Sequence, residues 1–347
     1  MKICGIESLR RTGRRIANLL ARRAVILLYH RVADLPLDPQ LLCVSRRNFA
    51  EHLEVIREHG RAIQIRALGQ ALQANRGQCA VVVSFDDGYA DNLYNAKPLL
   101  EQYDVPATVF VTTGYLGSNR EFWYDDLERI LLNNRPLPDT LRLKFRGHCE
   151  EWQLGSVADG GQPADPTHNG WNISRADDPT VRQRLYRSIF HLLHPLRDGE
   201  RQKVLEYLAG WAGMDISQRV THRTLSAEEL IRLADGGLIE IGSHTVSHPV
   251  LSSLPMTAQL DEMLKSKARL KEILGQSPAS FAYPFGGRQH YTEETVVAVR
   301  QAGFDWACSN FAGIVRSGTS RWQLPRFLVR DWDGDEFARN LKAWTHA

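Results

Sequence analysis

Two aspartates directly follow a mostly apolar segment that is predicted to be a buried strand. The segment runs from Ala80 to Phe85, and Asp86-Asp87-Gly88 comes next. Adjacent carboxylates at the end of a buried strand cost solvation free energy unless a cation or hydrogen bonds compensate them. Asp-Asp-Gly is also a common turn sequence, so the tripeptide alone leaves a structural and a chemical role open.

Two histidines stand four residues apart after a second apolar segment, Leu238 to Gly242. The spacing of His244 and His248 puts both imidazoles on one side of a helical turn or a tight loop. With one aspartate they complete the two-histidine, one-carboxylate donor set that catalytic zinc uses while a position stays open for water. A lone pair of histidines is often not a metal site, so the prediction depends on the whole constellation.

The residues between the histidines exclude one class of metalloenzyme. A zincin protease carries its base as the glutamate of H-E-x-x-H, whereas Thr245, Val246 and Ser247 fill that interval here. The second aspartate offers a base instead: one carboxylate can hold the metal while the other takes the proton from a metal-bound water. Zn2+ is the default expectation, and Co2+, Ni2+ or Fe2+ fit the same donors.

Three segments resemble, in order, the successive motifs of the polysaccharide deacetylase family. These proteins are the NodB-like carbohydrate esterases of family 4, and the similarity is to their exopolysaccharide-associated type. The segments are Val83–Gly88, His244–Pro249 and Phe281–Gly286, and the resemblance covers about Ala24 to the C-terminus apart from an insertion. It implies an α/β fold, a deformed (β/α) barrel of about seven strands, one divalent metal ion and hydrolysis of N-acetyl groups on amino sugars.

The resemblance also implies roles for single residues. It gives Asp86 the role of general base and makes Asp87, His244 and His248 the metal ligands. In the family, a further segment walls the substrate groove and offers a backbone amide to the tetrahedral oxyanion. That segment is matched by Tyr283, Pro284, Phe285 and Gly286.

This sequence departs from the family at two places. Ala282 stands where an arginine commonly orients the base, so either another residue such as Arg326 or Arg288 orients Asp86, or the base is less constrained than in relatives. The family's general acid is a histidine in a late Leu-x-His motif, which is missing after Gly287. Some exopolysaccharide-associated relatives look permuted, and the N-terminal Leu28-Tyr29-His30 makes His30 the candidate acid.

Two of these assignments keep a structural alternative. His30 could equally be a core histidine hydrogen-bonded to a backbone carbonyl. Asp305 and Trp306 resemble the motif that tunes the acid and lines the pocket, or they are ordinary packing at a strand end.

The elements that position these residues alternate between short β-rich and longer helical segments from Ala24 onward, as in βα units around a parallel sheet or barrel. Residues 24–347 are therefore one predicted domain, and the rhythm breaks over an insertion at about 114–224. Predicted strands are Ala24–Tyr29, Ala80–Phe85, Ala107–Thr113, Leu238–Gly242, Ala279–Tyr283, Phe304–Ser309 and Arg326–Val329. Predicted helices begin after Ser45, near Asn92, after Ser226 in a capping box, at Thr257 and after Thr292.

The insertion carries no chemical motif. Its patterns predict a hairpin of Leu141–Phe145 and Glu151–Leu154, a loop over Gly155–Gly170, and helices over Val181–Leu193 and Arg201–Trp211. Its aromatic residues are expected to pack inside it, with stacking on sugar rings as the alternative; they are Trp123, Tyr124 and Trp171.

The composition bounds the partners. The 347 residues are 43% apolar and 24% charged, which describes a globular chain, and 43 basic against 40 acidic residues give a formal charge of +3. This balance predicts no nucleic-acid partner. The five widely spaced cysteines show no C-x-x-C pair, so neither a disulfide scaffold nor a thiolate zinc site is expected, and a reducing compartment is the simplest inference.

Residues 1–23 form a basic leader segment. Its apolar residues have helical spacing, which fits an interfacial helix in contact with a membrane or a solvated helix packed on the domain. The apolar stretch Ala17–Ala21 is shorter than the roughly 7 to 15 residues of a signal-peptide core. The expectation is a cytoplasmic protein, peripheral at the inner membrane face, that acts on an N-acetylated glycan or glycolipid precursor; the oligomeric state is left open.

Two rival functions remain. One is an amidohydrolase that opens a small cyclic amide on the same barrel, and the other is a glycan-binding barrel without turnover. Retention of Asp86, Asp87 and both histidines favours the metal-dependent sugar branch.

Overall fold

The computed structural model describes residues 23–73, 79–155, 170–215 and 217–346. Its strands are β1 (Arg23–Tyr29), β2 (Arg31–Val32), β3 (Cys43–Val44), β4 (Arg61–Ala62), β5 (Ala80–Phe85), β6 (Ala107–Val111), β7 (Thr140–Phe145), β8 (His148–Gln153), β9 (Ile239–Ser243), β10 (Ser280–Ala282), β11 (Trp306–Cys308), β12 (Val315–Arg316) and β13 (Phe327–Leu328). Its α-helices are α1 (Arg46–His59), α2 (Leu68–Gln73), α3 (Lys97–Tyr103), α4 (Trp123–Leu131), α5 (Val181–Leu193), α6 (Asp198–Trp211), α7 (Ala227–Ala234), α8 (Met256–Leu274), α9 (Glu293–Gln301) and α10 (Gly334–His346). The predicted leader helix lies outside these residues, as does most of the predicted loop Gly155–Gly170.

A curled, mainly parallel sheet forms the centre of the fold. Its strands follow the order β11-β10-β9-β6-β5-β1-β12, and off this path β13 pairs in parallel with β1 and β4 with β5. The segment before β13 also bonds to β11, because Leu324 donates its amide to Ala307 and accepts from the amide of Ser309. The chain therefore links both edges of the sheet, and the predicted α/β fold, a deformed barrel of about seven strands, is confirmed.

Residues alternate between the inside and the outside of this barrel, as β-strand geometry requires. The inside is filled by a buried cluster that includes Ile26, Val82, Phe110 and Ala282. The neighbouring residues of the same strands face outward and pack on the helices in a second cluster. Because β5 is buried on both faces, it is apolar along almost its whole length.

Most helix boundaries follow from local signals that the sequence displays. Ser45 accepts a hydrogen bond from the amide of Asn48 at the start of α1, and Ser226 and Glu229 form the predicted capping box of α7. Gly275 ends α8 in the left-handed conformation. The predictions of β5 and α5 coincide with the structure, and most of the other predicted elements differ from it by one to three residues.

The predicted insertion folds around a hydrophobic cluster rich in aromatic residues, which includes Trp123, Tyr186 and Leu205. The antiparallel pair β7–β8 is the predicted hairpin. Helix α4 escaped prediction because eight of its nine residues are buried, the acidic ones included, so its charged residues do not mark a solvent-facing side. Among the residues that the structure describes, no helix has the length and apolar character needed to cross a membrane.

Candidate active site

The register of the sheet brings most of the predicted site residues to one end of the barrel. Tyr29 pairs with Phe85, and the amide of Asp86 donates to the carbonyl of Tyr29, so His30 and Asp86 leave neighbouring strands side by side. On the next pair of strands the amide of His244 donates to the carbonyl of Val111 at 3.0 Å. All these residues follow the carboxyl ends of parallel strands, where the loops of such folds converge.

The three predicted metal ligands lie together and are buried. The Oδ1 atom of Asp87 is 3.4 Å from Nε2 of His248 and 3.6 Å from Nε2 of His244. One donor atom from each residue can be chosen so that all three lie within 4.8 Å of one another. The structure therefore collects this donor set from two strand ends that are more than 150 residues apart in the sequence.

Both imidazoles have the protonation state that a metal ligand needs. Nδ1 of His244 is 2.8 Å from the carbonyl oxygen of Ala282, which makes Nδ1 the donor and leaves the lone pair of Nε2 facing Asp87. Burial lowers the pKa of His244 and, more strongly, that of His248. The neutral imidazole is the form in which histidine binds divalent metals.

The environment of the Asp87 carboxylate favours a bound cation. Tyr124 donates its hydroxyl to Oδ2 of Asp87 at 2.8 Å, while Oδ1 is buried and takes no hydrogen bond among the described residues. Burial, together with the charge of Asp86, raises the pKa of Asp87 to about 7. A buried carboxylate oxygen aimed at two neutral imidazoles fits a bound divalent metal ion.

A second group of possible ligands is already neutralised by protein groups. Asp125, Glu128 and His222 also lie close together. The guanidinium of Arg219 bonds to both carboxylate oxygens of Glu128, and Tyr89 donates to Asp125. Since a guanidinium occupies this cluster, the group around Asp87 is the better fit to a metal of these two groups among the described residues.

The predicted base is held by an arginine from the far end of the chain. The two terminal nitrogens of Arg326 donate to the two carboxylate oxygens of Asp86, each at 2.7 Å, and both side chains are buried. Burial alone raises the pKa of Asp86, but the charges of Arg326 and His244 and the Arg326 hydrogen bond outweigh it and hold the pKa below its ordinary value. Asp86 is therefore ionised at neutral pH.

Of the two arginines proposed to replace the missing one, only Arg326 reaches the base. Arg288 lies over the ring of Phe311, with 4.1 Å from its guanidinium carbon to the ring centroid. Ala282 faces the inside of the barrel in the same cluster as Phe110, a ring that the Arg326 guanidinium also approaches. The guanidinium thus enters the barrel from the segment beside β1 instead of from β10.

His30 lies within the electrostatic field of the site. Burial lowers its pKa to about 4; Asp86 raises it, and Arg326 and His244 lower it. The ring is therefore neutral at neutral pH. The carbonyl of His30 accepts a hydrogen bond from Asn92, which fixes the backbone after β1.

The predicted groove-wall segment turns sharply beside the histidines. Phe285 has a φ of 59°, and its ring centroid is 4.6 Å from that of His248. A Cβ on Gly286 would stand 2.6 Å from the amide nitrogen of Asn310, so only glycine fits there. The amide of Phe285 is used by no hydrogen bond among the described residues, whereas the Tyr283 hydroxyl donates to the carbonyl of Trp322.

The prediction that Asp305 and Trp306 line the pocket is wrong. Both lie at the amino end of β11, whereas the site lies at the carboxyl ends of the strands. The carboxylate of Asp305 is 62% exposed and pairs with Arg321 at 3.1 Å. The Trp306 ring packs at the opposite end of the barrel, against the cluster that contains Leu68 and beside Gly69.

Backbone strain is concentrated around the candidate metal ligands. Four of the seven non-glycine residues with positive φ in the described chain belong to the site; they are Asp87, Thr245, His248 and Phe285. Such conformations cost about 1 to 3 kcal/mol each and persist only where surrounding contacts impose them. One such contact is the hydrogen bond from the amide of His248 to the Thr245 hydroxyl.

Sequence reasoning missed three residues that hold the ligands. Glu262 on α8 accepts hydrogen bonds from the amides of Val246 and Ser247 and from the Ser247 hydroxyl. Tyr124 and Arg201 come from the insertion, where no motif marks them.

Trp123 and Trp171 are buried as expected for packing residues, so stacking of their rings on a sugar is not supported.

The fold and the site together define a deformed barrel with a candidate metal centre at the carboxyl ends of its strands. The family model for polysaccharide deacetylase matches residues 73–143 and 202–307, which is about half of the chain. The chain belongs to the polysaccharide deacetylase family, as the resemblance predicted.

The chain is also similar to individual proteins described as deacetylases. A putative polysaccharide deacetylase of Bacillus subtilis (strain 168), YxkH, is 24% identical over 139 residues, which are 39% of this chain. The match spans about half, 48%, of that relative. The solved structure of the Streptococcus pyogenes deacetylase PplD in complex with acetate has a TM-score of 0.57 at 17% identity and covers 94% of this chain and 99% of its own. IcaB from Ammonifex degensii also gives 0.57, at 20% identity, covering 94% and 98%; at these identities both structures support the fold.

Proposed function

We propose that this protein is a metal-dependent hydrolase that removes N-acetyl groups from the amino sugars of a polysaccharide or its precursor. The observation that carries the proposal is the pairing of two adjacent aspartates with opposite environments. Asp86 is ionised and held by Arg326, while Asp87 presents an unpaired oxygen to His244 and His248. One carboxylate is placed to take a proton and the other to hold a cation.

The residues that would hold the metal are Asp87, His244 and His248. A divalent ion bound there would polarise the acetamido carbonyl and acidify a water molecule. Imidazole and carboxylate donors suit Zn2+, and Co2+, Ni2+ or Fe2+ fit the same donor set.

The side chains around this centre account for the proton movements of amide hydrolysis. Asp86 removes a proton from the water that attacks the carbonyl carbon, because Arg326 keeps it ionised and fixed in direction. The amide of Phe285 is free to donate to the oxyanion that forms. The C–N bond then breaks, the acetyl group leaves as acetate, and the departing amine takes up the proton.

His30 is the residue we assign to deliver that proton. It follows β1 directly beside Asp86 and is neutral in the resting site. It must therefore receive a proton during the reaction, and the proton that Asp86 takes from water is the one available. Asp86 is also the carboxylate whose charge favours protonation of His30.

The substrate class follows from the family and from the position of this histidine. PplD is a deacetylase whose structure holds acetate, which supports acetyl groups as the target. A histidine supplied by the first strand is the feature that resembles exopolysaccharide-associated relatives. We therefore propose an N-acetylated exopolysaccharide or its lipid-linked precursor as the substrate, met at the cytoplasmic membrane face.

The decisive experiment is acetate release from a panel of N-acetylated amino-sugar oligomers and lipid-linked precursors. It compares untreated protein, chelator-treated protein and treated protein with Zn2+ or Co2+ added back. Chelator-sensitive release supports the proposal, and the preferred oligomer defines the substrate. Metal-loaded protein that releases no acetate from any substrate would contradict it. Chromatographic detection of ring-opened products from small cyclic amides, together with a glycan-binding measurement, would then separate the two rival functions.

A further inference from the structure

A hydroxyl from the insertion holds one oxygen of a candidate metal ligand. Tyr124, the second residue of α4, donates to Oδ2 of Asp87 at 2.8 Å, and both side chains are buried. The other oxygen, Oδ1, takes no hydrogen bond among the described residues and faces His244 and His248. The tyrosine thus fixes which carboxylate oxygen is turned toward the metal site.

The tyrosine is itself held in place on two sides. Its ring stacks on Phe122 with 5.3 Å between centroids, and it meets His248 edge-on at 6.5 Å. The hydroxyl of Tyr89 lies 3.4 Å from the Tyr124 hydroxyl and 2.7 Å from Oδ2 of Asp125. A buried line of polar groups therefore runs from Asp87 into the insertion.

A second contact from the insertion reaches another ligand. Arg201 of α6 is buried and donates to the carbonyl of His248 at 3.2 Å. The same guanidinium donates to the carbonyls of Leu193 and His194 at the end of α5 and lies over the ring of Trp123. The arginine thereby ties the backbone of His248 to the core of the insertion.

We propose that Tyr124 is a positioning residue of the metal centre and that the insertion helps to hold the ligands of that centre. Groups behind metal ligands fix the direction and basicity of the ligand, and their loss typically weakens metal affinity about 10- to 100-fold. Arg201 supports the same assignment from a second direction, through the backbone of His248. The inference rests on the proposed metal centre at Asp87, His244 and His248.

The test is a comparison of Zn2+ affinity between the full chain and the variant Tyr124→Phe, measured by competition with a chromophoric chelator. The variant removes only the hydroxyl, and Zn2+ affinity should fall about 10- to 100-fold. The visible spectrum of the Co2+-loaded protein should also change, because the Asp87 carboxylate is no longer fixed. The matched control is Tyr186→Phe, which removes a buried hydroxyl in the same hydrophobic cluster. That hydroxyl accepts a hydrogen bond from Gln40 and makes no hydrogen bond to Asp87.

The outcomes separate this inference from the proposed function. Unchanged Zn2+ affinity and an unchanged Co2+ spectrum in Tyr124→Phe, with tight binding by the wild type, would overturn the positioning role and leave the metal centre intact. Wild-type protein that binds neither metal would overturn both. If Tyr124→Phe does not fold, Tyr89→Phe removes the next hydroxyl along the line, and a weaker but measurable loss of affinity is expected; no loss would count against the inference.

Discussion

Arg326 and Asp86 form a bidentate ion pair inside the barrel although 240 residues separate them in the sequence. Both partners are buried, and the Ser84 hydroxyl lies 3.3 Å from the same guanidinium. The family commonly supplies a guanidinium from the position of Ala282. In this protein a different segment of the chain brings the same group to the base.

Replacement of Arg326 by methionine should disable the base while keeping most of the side-chain volume. Since misplacement of a reacting group by about 1 Å can cost a factor on the order of 100 in rate, kcat for acetate release should fall at least that far with little change in KM. Asp86 would remain buried without its partner, at a cost of about 3 to 5 kcal/mol in stability. Arg288→Met is the matched control, and a similar loss of kcat in the control would refute the assignment to Arg326.

The two adjacent aspartates should respond differently to the same substitution. Asp87→Asn should lose bound metal, because it removes the charge from the only carboxylate in the ligand set. Asp86→Asn should keep the metal and lose about 100- to 10,000-fold in rate, the contribution of a general base. Metal content by elemental analysis and acetate release by coupled assay check both, and metal-free Asp86→Asn protein would contradict the division of roles.

Glu262 should matter for the candidate metal centre although it lies on a surface helix. Its carboxylate accepts three hydrogen bonds from the loop between the two histidines. Glu262→Gln replaces one acceptor oxygen by a donor and should cost about 1 to 3 kcal/mol in stability, with weaker Zn2+ binding. Glu272→Gln, on the same helix and 69% exposed, is the control and should change neither chemical denaturation nor affinity.

His52 should make stability dependent on pH. It is buried between Tyr29 and Trp332 and stacks on Phe337 at 4.1 Å, and burial lowers its pKa to about 4. An unfolded chain, with an ordinary histidine pKa of about 6.5, binds this proton more readily, so stability should fall as the pH drops from about 6.5 to 4, by at most about 1.4 kcal/mol per pH unit.

Denaturation midpoints in urea between pH 7 and 4.5 measure this contribution. His52→Gln should reduce the slope of the unfolding free energy against pH by the contribution of one proton. The other buried histidines keep their own contributions to that slope. The exposed His59 at the end of the same helix provides the comparison variant. An equal slope in wild type and His52→Gln would show that this histidine does not couple to folding.

Local sequence determined the strands and their end residues. Apolar β-branched residues over Ala80–Phe85 are buried on both faces, so the strand and the position of Asp86 at its end follow from the local sequence pattern. Strand alternation and parallel pairing then place Asp86 and His30 side by side. His244 and His248 follow in the same way from the end of β9, because the period of side chains in strands and turns is a local property.

Tertiary structure alone decided which groups support these residues. Arg326, Tyr124 and Glu262 come from separate segments, and their contacts with the site depend on barrel curvature and helix packing, which no local period encodes. The acidic residues of α4 look solvent-exposed in sequence, yet they are buried: Asp126 pairs with Arg129 of the same helix, and Glu128 pairs with Arg219 from a distant loop. Asp305 was misassigned for a related reason: a motif fixes residue types, whereas the end of the strand on which they fall decides whether they can reach the site.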